Sequence, residues 1–411
     1  MQAEIIANGD EITSGRILDT NGQWLSQRLE DLGIRVLYHT AVGDDLEAMV
    51  AVFRLAVQRA DVIVVTGGLG PTADDLTREA LARAAQRQLL LDPVALEHVR
   101  SIFARRKRPM PAQNELQGYM PEGSRIIHNP NGTAPGIALD VPRDARPDCR
   151  FYCLPGVPAE MKEMWPQVDQ SLREAGAGRQ IIVHRAIKCF GAGESQVEAM
   201  LPDLIRRGRS PRVGITASQT TIILRVTAEA NTREECLKAM EPTVSTIRDC
   251  LGALVFGEAD DELQDVVVRV LRERRQTLAT AEAGTAGMLA DALAVADPSG
   301  DCFRGGVTAV SGPAAVRLLD VSPALLDQHG LRSSLAAEAM AVGCRKRLQT
   351  DWGLAISPFP SVNLPEPQPV FLALATPNGV TVKPLPFASH PATARIYCLK
   401  QALNLLRLAL V

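Results

Sequence analysis

Residues 61–77 carry the densest chemistry in the chain: Asp61-Val62-Ile63-Val64-Val65 runs directly into Thr66-Gly67-Gly68-Leu69-Gly70-Pro71-Thr72-Ala73-Asp74-Asp75-Leu76-Thr77. The apolar half reads as a fully buried central strand, and the glycine-rich half as a turn into a helix. Such a junction leaves backbone N–H groups unpaired, and the helix dipole adds positive potential, so it suits a phosphate. Gly67, Gly68 and Gly70, with Thr72, are the candidate phosphate contacts. A tight turn capped by Asp75 also explains the glycines, but it explains one aspartate poorly and two worse. Carboxylates beside a phosphate make sense where a divalent metal ion bridges them, since like charges otherwise repel the ligand. Asp74 and Asp75 are therefore candidate metal ligands, with Asp75 also a candidate catalytic group.

Two further polar clusters follow strands. Gly9-Asp10-Glu11, Ser14-Gly15 and Asp19-Thr20-Asn21 come after the apolar Glu4-Ile5-Ile6-Ala7. Asp10, Ser14 and Asn21 are candidate ligand contacts there, and Glu11 is an alternative general base. A surface turn and a helix N-cap account better for Asp19 or Asn21. Val42-Gly43-Asp44-Asp45 ends the second strand, where Asp44 is a candidate catalytic or metal-holding carboxylate. One of the pair Asp44 and Asp45 can equally cap the next helix. All three clusters fall at strand carboxyl ends of one sheet, where ligands bind in open α/β folds. Their convergence on one pocket is worth more than any single motif.

The elements that must position these groups are legible as alternating strands and helices. Trp24, Leu25, Leu29 and Leu32 recur at helical spacing, and Gly33 closes that helix. Arg35 to Val42 reads as a strand, and Leu46 to Arg59 as a helix with Met49, Val50, Phe53 and Val57 on one face. Strands separated by helices of this length predict a parallel sheet. Pro142 to Arg150 reads as a polar hairpin loop before the strand Phe151 to Leu154. After Gly176-Ala177-Gly178 the order strand (181–190), helix (194–207), hairpin (212–216 with 220–228), helix (232–251), strand (253–256) predicts a split βαβ or KH-like unit. A third unit begins near Asp260. Its stretch 357–369 holds five prolines and reads as an irregular loop. The expected domains are 1–175, 176–258 and 259–411.

Bulk properties exclude several classes. The 411 residues are 46% hydrophobic and 22% charged, an ordinary globular composition that argues against long disorder. Lys plus Arg number 44 against 47 Asp plus Glu, so no whole-chain field favours nucleic acid or a membrane surface. No apolar run approaches the ~20 residues needed to span a bilayer. The acidic start Met1-Gln2-Ala3-Glu4 is not that of a signal peptide. Eight cysteines are scattered without a CxxC pair, which fits buried thiols in a cytoplasmic protein rather than zinc or disulfides. The basic run Arg105 to Arg108 reads as a solvated helix end, and His128 as a surface or hydrogen-bonded side chain. Arg206, Arg207, Arg209 and Arg212 lack the Gly-x-x-Gly loop of an RNA-binding KH module.

The ordered motifs GDEITSG…DTN, VGDD, TGGLGPTADDLT, NPNGTAPG (Asn129 to Gly136) and LPGVP (Leu154 to Pro158) resemble the CinA family. The resemblance implies an α/β chain in three parts. These are a three-layer, parallel-sheet, MoaB/MogA-like N-terminal domain, a small α+β middle domain and an α/β CinA C-terminal domain. It adds Asn131, Gly132 and Thr133 to the expected ligand contacts. It implies that Asp44 and Asp75 serve the site, that the TGG turn holds a phosphate, and that the domain hydrolyses ADP-ribose-type pyrophosphates with a metal. The C-terminal part departs from the family. Where a deamidase of nicotinamide mononucleotide carries serine in AESCTGG, this chain has Ala283 in AEAGTAG. Val310 and Ala315 stand where tyrosine and lysine are expected, and 357–363 replaces a glycine-rich loop. That domain is expected to be inactive, since alanine has no nucleophile and valine has no proton to give.

The expected function is therefore a working N-terminal phosphate-ligand site beside a degenerate C-terminal domain, in a homodimer. The ligand would be ADP-ribose-like or a pterin. A molybdopterin-binding or adenylyl-transferring protein on the same fold is the first rival, because fold and cradle do not choose the ligand. A non-catalytic scaffold or regulator is the second.

Overall fold

The structure is a computed structural model, which describes all residues except Ala145, Arg207, 361–367, 387–390 and Val411, with Pro391 and Ala392 described by backbone alone. Contacts divide the chain into two compact units. One is Met1–Val183 with Ala228–Ala239, the other His184–Thr227 with Met240–Val411.

The first unit runs β1 (Gln2–Asn8), α1 (Asp10–Thr13), α2 (Thr20–Asp31), β2 (Arg35–Val42), α3 (Leu46–Arg59), β3 (Val62–Thr66) and α4 (Thr77–Ala84). It continues with β4 (Leu89–Leu91), α5 (Pro93–Arg105), a 3-10 segment (Ala112–Gly118), β5 (Tyr119–Pro121), β6 (Arg125–Ile127), β7 (Gly136–Val141), β8 (Cys149–Leu154) and α6 (Pro158–Glu174). The sheet order is β2-β1-β3-β8-β7-β6. Its first four strands are parallel, and β7 and β6 close one side antiparallel. The sheet is thus parallel at its centre, as expected, with an antiparallel margin that alternation alone did not announce. The expected loop 142–150 is shorter, because Cys149 and Arg150 already pair in β8.

Side chains alternate across this sheet and build two cores. Ile6, Ile63, Val65 and Phe151 pack beneath Met49 and Phe53 of α3 and Ala80 and Leu81 of α4. Ile5, Val64 and Tyr152 face the opposite layer, against Leu25 and Leu29 of α2 and Met161, Trp165 and Val168 of α6. A central strand covered on both faces has no polar side, which is why 62–65 reads as an unbroken apolar run. Asp19 caps α2 by accepting from Gly22 N–H at 2.7 Å, and Asp45 caps α3 from Ala48 N–H at 2.8 Å. Gly33 ends α2 at φ 69°, where a Cβ would lie 1.9 Å from the Gln180 carbonyl oxygen.

The next elements are β9 (Ile181–Cys189), α7 (Glu194–Met200), β10 (Arg212–Ser218), β11 (Thr221–Ala230), α8 (Arg233–Leu251) and β12 (Val255–Glu258), in the sheet order β10-β11-β9-β12. The predicted β-α-β-β-α-β succession is present. Helix α7 stops at Met200, short of the expected Arg207, because Pro202 drives Leu201 to an extended φ of −98° and ψ of 127°. Arg207 lies outside the described residues.

The remainder runs α9 (Leu263–Arg274), β13 (Leu278–Glu282), α10 (Met288–Ala296), β14 (Phe303–Thr308), α11 (Gly312–Leu319), α12 (Pro323–His329) and α13 (Ser334–Arg347). It ends with β15 (Trp352–Ile356), β16 (Val370–Thr376), β17 (Gly379–Leu385) and α14 (Pro391–Ala409). Its sheet, β14-β13-β15-β16-β17, is parallel across the first three strands and antiparallel beyond. Phe190 and Phe256 share one apolar cluster with Leu263, Leu278, Leu403 and Leu406. Positions 361–367 of the proline-rich stretch, including part of the 357–363 replacement, lie outside the described residues.

One buried ion pair ties β1 to α3. The Glu4 carboxylate has no solvent exposure and accepts from Arg59 Nε at 2.7 Å, Arg59 Nη2 at 2.6 Å and Thr40 Oγ1 at 2.7 Å. Arg59→Met should destabilise the chain by about 3–5 kcal/mol, because it strands a buried carboxylate. Adding Glu4→Leu should restore most of that loss. Urea unfolding of the single and double variants measures both, and a single variant as stable as wild type would remove the pair from this role.

Candidate functional site

The carboxyl ends of β1, β2 and β3 open into one cavity of about 440 Å³. Gly67, Gly68, Leu69, Gly70 and Pro71 form one wall, and Asn8, Glu11, Asp44, Asp74 and Asp75 bring polar groups from three strand ends. Thr133, Ala134, Val157 and Glu160 close the other side. The predicted convergence therefore holds for Glu11, Asp44, Asp74, Asp75, Thr133 and the three glycines.

Backbone conformation explains the glycines. Gly67 and Gly68 sit at φ 98° and 66°, the left-handed region. A Cβ on Gly67 would lie 2.5 Å from the Asn8 carbonyl oxygen, and one on Gly68 would lie 2.3 Å from Thr77 Oγ1. The Gly67 N–H donates to the Leu154 carbonyl at 3.1 Å, and Gly70 N–H is taken by Asp75. The N–H groups of Gly68 and Leu69 have no acceptor among the described residues. Two amides next to a cavity with nothing to bond are what an anion needs.

The turn is held from behind. Asp75 accepts from Gly70 N–H at 2.7 Å, Thr72 N–H at 2.8 Å and Thr72 Oγ1 at 2.5 Å. Both its oxygens are thus committed to the turn, which is the capping role rather than that of a free metal ligand. Arg78 lies buried behind it and donates to the Leu69 and Gly70 carbonyls, each at 2.6 Å. Burial pulls this guanidinium down to about 10, against the opposing effect of the Asp75 charge. Thr77 Oγ1 donates to the Gly67 carbonyl at 2.8 Å, and Asn8 Nδ2 donates to Thr77 Oγ1 at 2.8 Å.

The other carboxylates behave differently. With Asp45 capping α3, Asp44 is left to the cavity, and Asp44 and Asp10 exchange backbone-to-carboxylate bonds of 3.1 and 3.2 Å. Burial raises the Asp44 carboxyl above its ordinary value; the Asp10 N–H opposes this, and the charges of Asp10, Glu11 and Asp74 add to it. The nearby Thr72 hydroxyl and a backbone N–H hold the exposed Asp74 carboxyl below its ordinary value.

Several expected contacts act one step back from the cavity. Asp10 and Ser14 organise α1, where Ser14 N–H donates to the Asp10 carbonyl at 2.9 Å. Asn21 Nδ2 donates to the Gly156 carbonyl at 2.8 Å, and Thr72 supports Asp75. Asn131 Nδ2 donates to Glu163 at 2.5 Å, and Gly132 N–H to Asn129 Oδ1 at 2.8 Å. Arg105 and Arg106 lie at the exposed end of α5, as read from the sequence, and also donate to the Pro130 and Asn131 carbonyls. His98 Nε2 donates to the Gly132 carbonyl at 3.2 Å, and its ring meets that of His128 edge-on at 4.9 Å. Asn8, Gln117 and Glu160 were missed in the sequence. Glu160 had a faint signal, an acid in the first turn after Pro158; Gln117 had none.

No three His, Cys, Asp or Glu side chains gather as a metal cage among the described residues. The donor set instead matches a hard cation held by one or two carboxylates and by phosphate oxygens of its ligand, as for magnesium. Asp44 and Asp74 are the side chains that would hold it.

In the second unit, the segment that departs from the family forms no open acidic site. Thr285, fully buried, donates to Glu282 Oε2 at 2.6 Å. Glu282 also accepts from the N–H groups of Gly287 (3.1 Å), Leu289 (3.0 Å) and Ala290 (2.8 Å). Ala283 and Ala315 are buried, whereas Val310 is 63% exposed. A Cβ on Gly284 would lie 2.5 Å from the Phe359 ring.

The fold and cavity define a molybdopterin-binding-type α/β domain followed by two smaller modules. Residues 4–173 match the probable molybdopterin binding domain, 184–257 the KH domain of the damage-inducible protein CinA, and 260–410 the CinA C-terminal domain. A CinA-like protein of Frankia casuarinae is 37% identical over 99% of this chain and 96% of that protein. One from Dictyoglomus thermophilum is 35% identical over the whole of both. The crystal structure of CinA from Thermoplasma acidophilum is 32% identical, covering 42% of this chain and 99% of that one at a TM-score of 0.38. This chain belongs to the CinA family.

Asp44 yields a pH prediction. A carboxyl raised by folding binds its proton more tightly in the native state, so its ionisation costs stability as pH rises through the folded value. Asp44→Asn should therefore raise the melting temperature at pH 7 slightly. The gain should vanish below the ordinary aspartate value of 3.8, where both side chains are neutral. Thermal scans at several pH values decide this, and a gain independent of pH would contradict it.

Proposed function

We propose that the N-terminal cavity binds a phosphate-bearing small molecule and hydrolyses ADP-ribose-type pyrophosphates in a metal-dependent reaction. The observation that carries this reading is the pair of unbonded N–H groups at Gly68 and Leu69, residues that line the same cavity as Glu11 and Asp44 from two other strand ends. The amides take phosphate oxygens, and Gly67 and Gly70 let the backbone approach them. A divalent cation at Asp44 and Asp74 supplies charge neutralisation of the phosphates. Asp44, or Glu11 in its place, accepts a proton as water attacks phosphorus in line. The P–O bond opposite breaks, leaving AMP and ribose 5-phosphate. Asp75 works as a positioning residue through the turn. The match of residues 4–173 to a probable molybdopterin binding domain favours a second reading, pterin-phosphate binding without turnover.

ADP-ribose with Mg²⁺ should raise the melting temperature, and at 100-fold its dissociation constant should add about 2.7 kcal/mol. EDTA should remove that gain, and Asp44→Asn should remove it while leaving the fold intact. Phosphate release coupled to a phosphatase reports turnover. Binding without turnover, with a pterin bound more tightly, favours the second reading, and no shift with any phosphate ligand defeats both.

We propose also that the C-terminal domain does not deamidate nicotinamide mononucleotide. Supporting this, Ala283 has no nucleophile, Val310 and Ala315 have no transferable proton, and the remaining hydroxyl, Thr285, is buried on Glu282. Ammonia release from nicotinamide mononucleotide should stay at background. Release that Thr285→Ala abolishes would reveal a relocated nucleophile.

A further inference from the structure

A second cavity, of about 800 Å³, lies in the first unit away from the glycine turn. Four arginines line it: Arg54 on α3, Arg87 just after α4, and Arg143 and Arg146 on the loop between β7 and β8. Helix α3 begins after Asp44 and α4 after Asp75, both in the first cavity, and the carboxyl ends of both reach the second. At about 1.5 Å per residue α3 runs ~21 Å, so a small ligand in one cavity is separate from the other.

Two of the arginines are fixed. Arg143, whose side chain is only 7% exposed, donates from Nε to the Pro147 carbonyl at 2.7 Å and from Nη1 to the Val57 and Ala60 carbonyls at 3.3 and 2.9 Å. Its Nη2 donates to Asp61 Oδ1 at 3.1 Å. A guanidinium carries five N–H donors, so one is left. Arg146 donates to the Gln58 carbonyl at 3.2 Å and to the same Asp61 oxygen at 3.0 Å. These bonds anchor the loop to the end of α3, yet they set two cations on one carboxylate.

The other two arginines are open. Arg54 makes a single long bond, 3.4 Å, to the Arg83 carbonyl, and the exposed Arg87 side chain has no partner among the described residues. Asp144 is the one acid in the cavity lining among those residues, so with Asp61 behind it four cations meet two carboxylates. A concave surface lined by one sign of charge concentrates counter-ions, and guanidinium forks match phosphate and carboxylate oxygens in pairs.

We infer that this cavity is a second, metal-independent ligand site for a compact polyanion, a small molecule with two or more phosphate or carboxylate groups. Arg143 and Arg146 supply a fixed positive field, and Arg54 and Arg87 close on the ligand from two different helices. More than one anionic group is required because the arginines come from three separate elements around a wide space. The site differs in kind from the first cavity, where acids line the wall and a cation must mediate.

Calorimetric titration of the full chain with inorganic tripolyphosphate and with citrate, both in EDTA, tests the inference. Arg87→Gln should weaken binding about tenfold, and Arg54→Gln with Arg87→Gln about a hundredfold, since each removes charge-assisted bonds. Neither side chain holds the fold through more than that one long bond, and melting curves of the variants check this. Raising the salt concentration should weaken binding in wild type more than in the double variant. Asp44→Asn reports the first cavity: removing an acid there should tighten an anion bound at that place and leave one bound among the arginines unchanged. Tripolyphosphate binding alone assigns a phosphate ligand, and tighter citrate binding assigns a polycarboxylate. Equal affinity in wild type and the double variant, tightening by Asp44→Asn, or no binding of either anion overturns the site, and none of these touches the metal-dependent reading of the first cavity.

Discussion

The N-terminal unit depends on one close approach: the backbone at Gly67 passes so near the end of β1 that a Cβ would lie 2.5 Å from the Asn8 carbonyl oxygen. That approach requires φ of 98° and 66° at consecutive residues, which side chains other than hydrogen resist. The strain is held by side chains bonded to the turn's own backbone. Thr77 takes the Gly67 and Gly68 carbonyls, Arg78 the Leu69 and Gly70 carbonyls, and Asp75 the amides of Gly70 and Thr72. With those partners removed from competition, the amides of Gly68 and Leu69 are left over. The two open amides of the turn are thus what is left once everything around them is satisfied.

The two aspartates of one motif consequently do different work. Asp75 faces inward and neutralises donors of the turn, whereas Asp74 faces solvent and Asp44 arrives from β2 without a cap to serve. Position along the chain does not distinguish Asp74 from Asp75. Only the turn geometry does, by bringing Thr72 back over Asp75 and leaving Asp74 outside. The same sorting applies at Asp44 and Asp45, where helix direction decides that Asp45 meets Ala48 N–H.

This sorting marks the limit of what was legible in the sequence. Strands β2 and β3, helix α3 and the parallel centre could be read because apolar periodicity and length carry them. The meeting of three strand ends could be read because topology forces it. The antiparallel margin at β7 and β6 could not, since nothing local reports strand direction. Gln117 and Glu160 escaped because they reach the cavity from a 3-10 segment and a helix start far along the chain. The basic run at 105–108 is the exposed helix end that its charge predicts, and it has a further role that the charge does not report. Its charge suggested solvent, while two of its guanidinium groups cap carbonyls of the 129–133 loop, which brings Thr133 to the cavity.

In the second unit one buried carboxylate holds the strand-to-helix turn after β13. Glu282 sits at the end of β13 with four donors on its carboxylate, three of them backbone N–H groups at the start of α10. A buried carboxylate with that many donors is stabilising where it stands, and it fixes the strand-to-helix turn without any nucleophile in it. Phe359 lies where a side chain at position 284 would be, so packing occupies the space that a larger residue there would need. Glu282 and Thr285 hold the turn, and Ala283 and Gly284 between them are free to be small. A domain in that state can still supply a core, with Leu263, Leu278 and Leu403 joined to Phe190 and Phe256 in one cluster.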